Sequence, residues 1–287
     1  MKDLRISTQI NMHPKYGKTI PETITEAVEF HKKAGFDALD FPLYLLDFSS
    51  DSSWRASVDE ALSASEKYGI KFEICHLPFD TKICNRPELL PEFNKKMHRA
   101  IDAAKALGVK FAVLHPNTAS APMEEFDPEF EKKRVIEHLS PFVEHAKRIG
   151  LDVVVENTRL VLGLRPTHRY CQTAEELCDI ADALEIGVCW DFGHANIAGL
   201  KQSSALRYIG KRLKVLHVND NSGYDDEHSP PFAGKVDWAD AMHGLALAGF
   251  DGLFNFELAM YRVPDGAREN FAAYSIVSAK ELIKLIK

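Results

Sequence analysis

The chain has 287 residues, 45% hydrophobic and 27% charged, with 42 acidic against 35 basic side chains and a formal net charge of −7. That supplies a large core and gives no support to broad polyanion binding, so nucleic acid is not an expected partner, although a local basic patch remains compatible. No stretch is long and apolar enough for a membrane span, no basic-then-apolar leader is visible, and five cysteines without a C-x-x-C pair fit reduced thiols in a cytoplasmic protein.

Strand-like apolar runs fall at 4–10, 38–43, 71–77, 111–115, 151–156, 186–191, 213–218 and 252–258. Helical stretches lie between and after them, at 20–34, 54–68, 87–107, 128–149, 173–184, 202–210, 238–248 and 267–286. Most strand runs are apolar on successive residues, as expected when both faces are buried. Eight alternating β/α units without a linker predict one domain over 1–287, a parallel (β/α)8 TIM barrel. Gly35, Gly69, Gly108, Gly150 and Gly249 each end a helical stretch shortly before a strand. The segments after strands are longer, at 44–53, 116–127, 157–172 and 219–237. A barrel of this kind places its active site on that side, at the C-terminal ends of the strands. A doubly wound sheet is the rival, but no G-x-G-x-x-G or P-loop follows any strand.

Polar residues of ligand type recur at the strand ends. Glu156, Asp191, His217 and Glu257 close four consecutive apolar runs, and His76 and His115 close two earlier ones. His194 follows Asp191 by three residues, and Asp226 and His228 lie in the polar loop after His217. Such groups are costly to bury without partners, so their convergence on one rim predicts a shared cation. Mixed nitrogen and oxygen ligands suit Mn, Co, Fe or Zn better than Ca, and Mg stays open. His31, His98, His138, His145 and His243 fall on helices and read as packing or solvated residues, and His13 and His168 read as ordinary loop residues.

VENT at 155–158, CWDFGHANI at 189–197, LHVND at 216–220, HSPPFAGKVDW at 228–238 and NFEL at 255–258 together resemble the xylose isomerase-like TIM barrel superfamily. That superfamily includes sugar-phosphate isomerases and epimerases, ketose 3-epimerases, inosose-processing enzymes and endonuclease IV. In its epimerase branch the resemblance implies a divalent-metal site on Glu156, Asp191, His217 and Glu257, with the two glutamates also acting as bases and His194 touching a substrate oxygen. Where that branch carries an arginine after the metal histidine, this chain has Asp226-Glu227-His228. The Asp-x-His element is also similar to endonuclease IV, whose three-zinc site would map onto His76, His115, Glu156, Asp191, His194, His217, Asp226, His228 and Glu257.

The resemblance implies an isomerase or epimerase that moves a proton on a small carbohydrate, phosphorylated or free, through a metal-stabilised enediolate. Glu156, Glu257 and His194 would be catalytic, and His76, His115, His194 and His228 would contact substrate or hold further metal. Phe48, Trp54 and Phe79 could cover the sugar or pack under loops. The alternatives are a multi-zinc phosphodiesterase acting at abasic DNA, with Arg159, Arg165 and Arg169 gripping phosphate, and a non-catalytic barrel that binds metal or sugar. A homodimer is compatible with a barrel of this type, though no segment marks an interface.

Overall fold

The computed structural model of the protein describes residues 4–14, 17, 22–81, 83–116, 121–164 and 166–286. Eight parallel strands form one sheet: β1 (Ile6–Gln9), β2 (Ala38–Pro42), β3 (Phe72–His76), β4 (Phe111–Leu114), β6 (Asp152–Glu156), β8 (Gly187–Asp191), β9 (Leu213–His217) and β10 (Phe254–Phe256). Their order is β10-β1-β2-β3-β4-β6-β8-β9. A parallel bridge between Val218 and Phe256 joins β9 to β10 and closes the sheet into a barrel. The bridge carries two backbone hydrogen bonds, Val218 N to Asn255 O at 2.8 Å and Glu257 N to Val218 O at 3.2 Å. The remaining strands, β5 (Ala121–Pro122) and β7 (Thr167–His168), form an antiparallel ribbon drawn from two of the long loops.

The helices are α1 (Ile24–Ala34), α2 (Asp51–Tyr68), α3 (Leu90–Leu107), α4 (Pro128–Ile149), α5 (Ala174–Leu184), α6 (Phe192–Ile197), α7 (Gln202–Ile209), α8 (Trp238–Ala248) and α9 (Arg268–Ile283). Local chemistry sets their ends. Thr23 and Thr173 each form a capping box with the glutamate three residues on, Glu26 and Glu176. Asp127 caps α4 by accepting from two backbone amides, with Pro128 in the first turn. All five glycines read as stop signals close a helix in the left-handed conformation.

The expected strands are each shortened by one to four residues, most of all the last, because pairing stops before the apolar run does. His115 therefore stands just past β4 rather than within it. The second helix starts at Asp51, not 54, because Ser50 accepts from Ser53 N and caps it there. The third begins with a 3₁₀ turn at Pro87–Leu89, and α proper starts at Leu90. The first helix begins at Ile24 with Thr23 as its cap, and the expected start at 20 lies outside the described residues. The α6 turn and the β5–β7 ribbon were not anticipated; six and two residues are too few to show a period.

Most apolar side chains pack between barrel and helices. Inside the barrel, Ile74, Val113, Val154, Cys189 and Val215 form a separate buried layer. Among the described residues no helix is long and apolar enough to cross a membrane.

Candidate metal centre

The strand tips converge. Glu156 on β6, Asp191 on β8, His217 on β9 and Glu257 just past β10 each offer a ligand atom, and these four atoms lie within 4.8 Å of one another. His217 Nδ1 is 2.9 Å from Glu156 Oε1 and 3.2 Å from Glu257 Oε2. Glu156, Asp191 and His217 are fully buried, while the Glu257 side chain is 12% exposed and faces a cavity of about 380 Å³. That volume lies in the range of small-molecule sites.

Two further groupings flank this one. His76 Nε2 and His115 Nε2 stand 3.4 and 3.0 Å from the second oxygen of Glu156. On the other side, His194 Nε2 is 3.4 Å from one Asp226 oxygen and His228 Nε2 is 3.3 Å from the other. All nine residues singled out in the sequence thus stand in one connected constellation.

The ring tautomers test whether a cation fits. His76, His194 and His228 each place Nδ1 against a backbone carbonyl, of Leu77, Asn157 and Glu257, at 3.0, 2.7 and 3.0 Å. A carbonyl only accepts, so Nδ1 carries the hydrogen and donates it. In a neutral ring Nε2 is then a lone pair, and each such lone pair faces a carboxylate oxygen. Two acceptors face to face need a cation between them, a proton or a metal. The site has many acceptors and few donors, as a metal centre requires.

Without metal, the charges shift one another. Burial pushes Glu156 up, but His217 and His115 outweigh it and hold the carboxylate well below its usual range. Burial opposes protonation of His217 and His194, yet surrounding acids hold both well above the usual histidine value. For His228, Asp226 and Glu257 overcome burial and lift it to about 10. Asp191 is pushed up by burial to about 6, with His194 opposing.

Supporting contacts fix these groups. Asp191 caps α6 by accepting from His194 N at 2.6 Å, which explains the three-residue spacing of the pair. Its other oxygen accepts from Asn219 Nδ2 at 2.7 Å. Gly193 makes room for Asn219, since a Cβ there would stand 1.9 Å from Asn219 Oδ1. Asp220 is fully buried and accepts from the backbone amides of Asn221, Phe232 and Val236 and from Trp238 Nε1. It pins the loop on which His228 sits.

Sequence reasoning missed several residues of the site. Asp40 on β2 is fully buried, with Oδ2 3.8 Å from His217 Nε2 and Oδ1 lacking a hydrogen-bond partner among the described residues. Gln9 on β1 donates to Glu257 Oε1 at 3.4 Å and accepts from Tyr44 Oη at 2.9 Å. Both are polar residues in apolar strands, the signal used for strands three to eight. His13, read as an ordinary loop residue, lines the cavity and packs on Tyr261 with ring centres 4.8 Å apart. Phe79 lines the cavity, against one of its two readings. Phe48 and Trp54 instead pack in the core, because α2 begins early and turns Trp54 inward. Arg159 and Arg169 line the cavity, whereas Arg165 lies outside the described residues. His168 is held by Glu176 at 2.7 Å, away from the metal-type ligands, as its ordinary reading expected.

Comparisons with known proteins agree with this architecture. An uncharacterised protein of Methanocaldococcus jannaschii is 26% identical over 245 residues, covering 83% of this chain and 80% of that one. A probable endonuclease 4 of Mycoplasmoides gallisepticum is 26% identical over 159 residues, 52% of this chain but only 48% of its own length. The crystal structure of a D-tagatose 3-epimerase-like protein superposes with a TM-score of 0.72 at 19% identity, covering 99% of this chain and 98% of its own, which shows a shared fold. The family described as xylose isomerase-like TIM barrel matches residues 28–275, and the chain belongs to it.

Proposed function

We propose that this protein is a divalent-metal-dependent isomerase or epimerase acting on a small carbohydrate. The observation that carries this reading is the grouping of Glu156, Asp191, His217 and Glu257 around one point at the floor of a small cavity. The family and the structural likeness to an epimerase-like protein support it. Lewis acidity toward adjacent substrate carbonyl and hydroxyl oxygens is the chemistry a cation held there supplies when bound.

The chain's own groups do the proton work. Glu156 and Glu257 enter from β6 and from the end of β10, which are not neighbours in the barrel, so they address a ligand between them from different sides. One removes the proton from the carbon beside the carbonyl and the other returns one to the opposite face. His194 lines the cavity with Nδ1 donating to the Asn157 carbonyl and Nε2 beside Asp226, so a substrate oxygen would meet that pair. Phe79 and Tyr44 supply an apolar wall beside His76.

The test is exchange of the substrate's carbon-bound proton with solvent deuterium across a panel of ketoses, inososes and their phosphates, using metal-loaded protein. Glu257→Gln is expected to lower exchange by at least about a hundredfold while circular dichroism stays unchanged. Full exchange in that variant would remove the assignment of the base.

A second reading rests on the two flanking groupings. His76, His115 and Glu156 on one side and His194, Asp226 and His228 on the other pair histidine nitrogens with carboxylate oxygens, and these would supply the further ligands that a multi-metal phosphodiesterase needs. Metal analysis of protein purified without chelator separates the two. One ion per chain favours the isomerase; two or three zinc or iron ions with incision of an abasic duplex favour the hydrolase.

A further inference from the structure

Arg169 is the least compensated cation of the cavity. The residue is 9% exposed and lines the cavity, and its Nε has no hydrogen-bond partner among the described residues. Buried guanidinium groups are normally paired, because an unmatched charge is costly to desolvate. Burial pulls its pKa down first and the neighbouring charge of Arg159 adds to this, with only Asp226 opposing. Asp226 is already engaged by His194 and His228. Arg159 lines the same cavity and, among the described residues, its guanidinium makes only long contacts, 3.4 Å to the exposed Asp225 and 3.6 Å to Asp226.

Two guanidinium groups that line one cavity and act on each other through their charges repel until an anion enters between them. A carboxylate brings one negative charge. A phosphate monoester brings between one and a half and two, with three acceptor oxygens suited to the planar guanidinium fork. Arg159 and Asp226 link this pair to the His194–His228 grouping, so the anion would lie beside the ligand rim. We propose that Arg169 and Arg159 form an anion subsite and that the substrate is a small sugar carrying a phosphate monoester. This rests on the carbohydrate reading above and narrows it to a substrate class.

The experiment titrates inorganic phosphate into the as-purified protein, followed by calorimetry, for wild type, Arg169→Met and Arg169→Lys. It is paired with solvent-deuterium exchange on ketoses and on their 5- and 6-phosphates. Phosphate held by metal alone is insensitive to Arg169, so the Met variant isolates the arginine contribution. Arg169→Met is expected to weaken phosphate binding by about tenfold or more, with Arg169→Lys recovering part of the loss. Phosphorylated sugars should exchange with higher kcat/KM than their free counterparts, and Arg169→Met should erase that preference chiefly through KM. Unchanged phosphate binding in Arg169→Met overturns the subsite. Equal exchange of free and phosphorylated sugars overturns the substrate class while the isomerase reading stands. Loss of phosphate binding in Arg169→Met together with incision of an abasic duplex, and no exchange on any sugar, reassigns the subsite to nucleic-acid phosphate and overturns the sugar-phosphate proposal.

Discussion

Two layers of the barrel interior, two residues apart on the same strands, have opposite chemistry. Ile74, Val113, Val154, Cys189 and Val215 form the lower, apolar layer. Directly after them in period come His76, His115, Glu156, Asp191 and His217. In a strand, residues i and i+2 point to the same face, so each polar group stands above an apolar residue of its own strand, His115 by continuing the period one residue past β4. The lower layer is held by burial and close packing. The upper layer concentrates charges that burial disfavours, and it gains order only through mutual pairing or a cation. The barrel therefore separates the part that fixes its shape from the part that does chemistry, on one set of strands.

Moving a charge down one layer should break this division most severely. Val154→Asp places a carboxylate among apolar side chains and is expected to cost roughly 4 kcal/mol or more, read as loss of the cooperative urea transition. A soluble variant with a wild-type midpoint would show that the lower layer tolerates charge.

His31 on α1 sharpens the comparison from outside the barrel. It is fully buried between Phe30 and Phe36, with Nδ1 donating to the Ala27 carbonyl. Burial pulls its pKa to about 4, only partly opposed by that carbonyl and by Glu22, while Arg268 adds to the fall. The rim histidines His194 and His217 shift the opposite way because acids surround them. Since the folded value lies below the unfolded one, the unfolded chain takes the proton first. The contribution of neutral His31 is complete above about pH 6.5 and is lost as pH falls toward 4, roughly 3 kcal/mol in all. His31→Leu should flatten that part of the pH dependence of the urea midpoint, and an unchanged slope would reject the assignment.

Within the upper layer, Glu156→Gln removes the carboxylate shared by two groupings. Metal retained per chain after gel filtration should fall by at least about a hundredfold in affinity. Stoichiometric metal in this variant would displace Glu156 from the centre. Asp40→Asn is the mildest change. The amide can still accept from Asn255 Nδ2, now 3.0 Å from Asp40 Oδ2, and it removes a buried charge whose other oxygen has no partner among the described residues. Thermal stability should hold or rise, while metal affinity drops by roughly tenfold because His217 loses the carboxylate behind it.

The barrel was legible because local and global signals agree: helix caps, left-handed glycines and doubly apolar strands all point the same way. Glu156, Asp191, His217 and Glu257 were legible because each ends an apolar run. Gln9 and Asp40 were not, because Ile10 and Phe41 continue the run and hide the change of chemistry. The registers at β2 and β8 shift between Leu39 and Asp40 and between Val188 and Cys189, irregularities that spacing alone does not show. His13 and Phe79 reach the cavity through loop paths, and such paths depend on tertiary packing rather than on period.

The Asp220 carboxylate has a consequence for how the rim takes up ligands. Asp226 and His228 belong to a loop, whereas Glu156, Asp191 and His217 belong to strands. Four donors converging on Asp220 order the start and end of that loop when the barrel itself folds. The conformational entropy of the loop is then already lost before any ligand arrives. Loosening Asp220 would return that cost to the binding step, so a residue remote from substrate would govern the affinity of the outer rim.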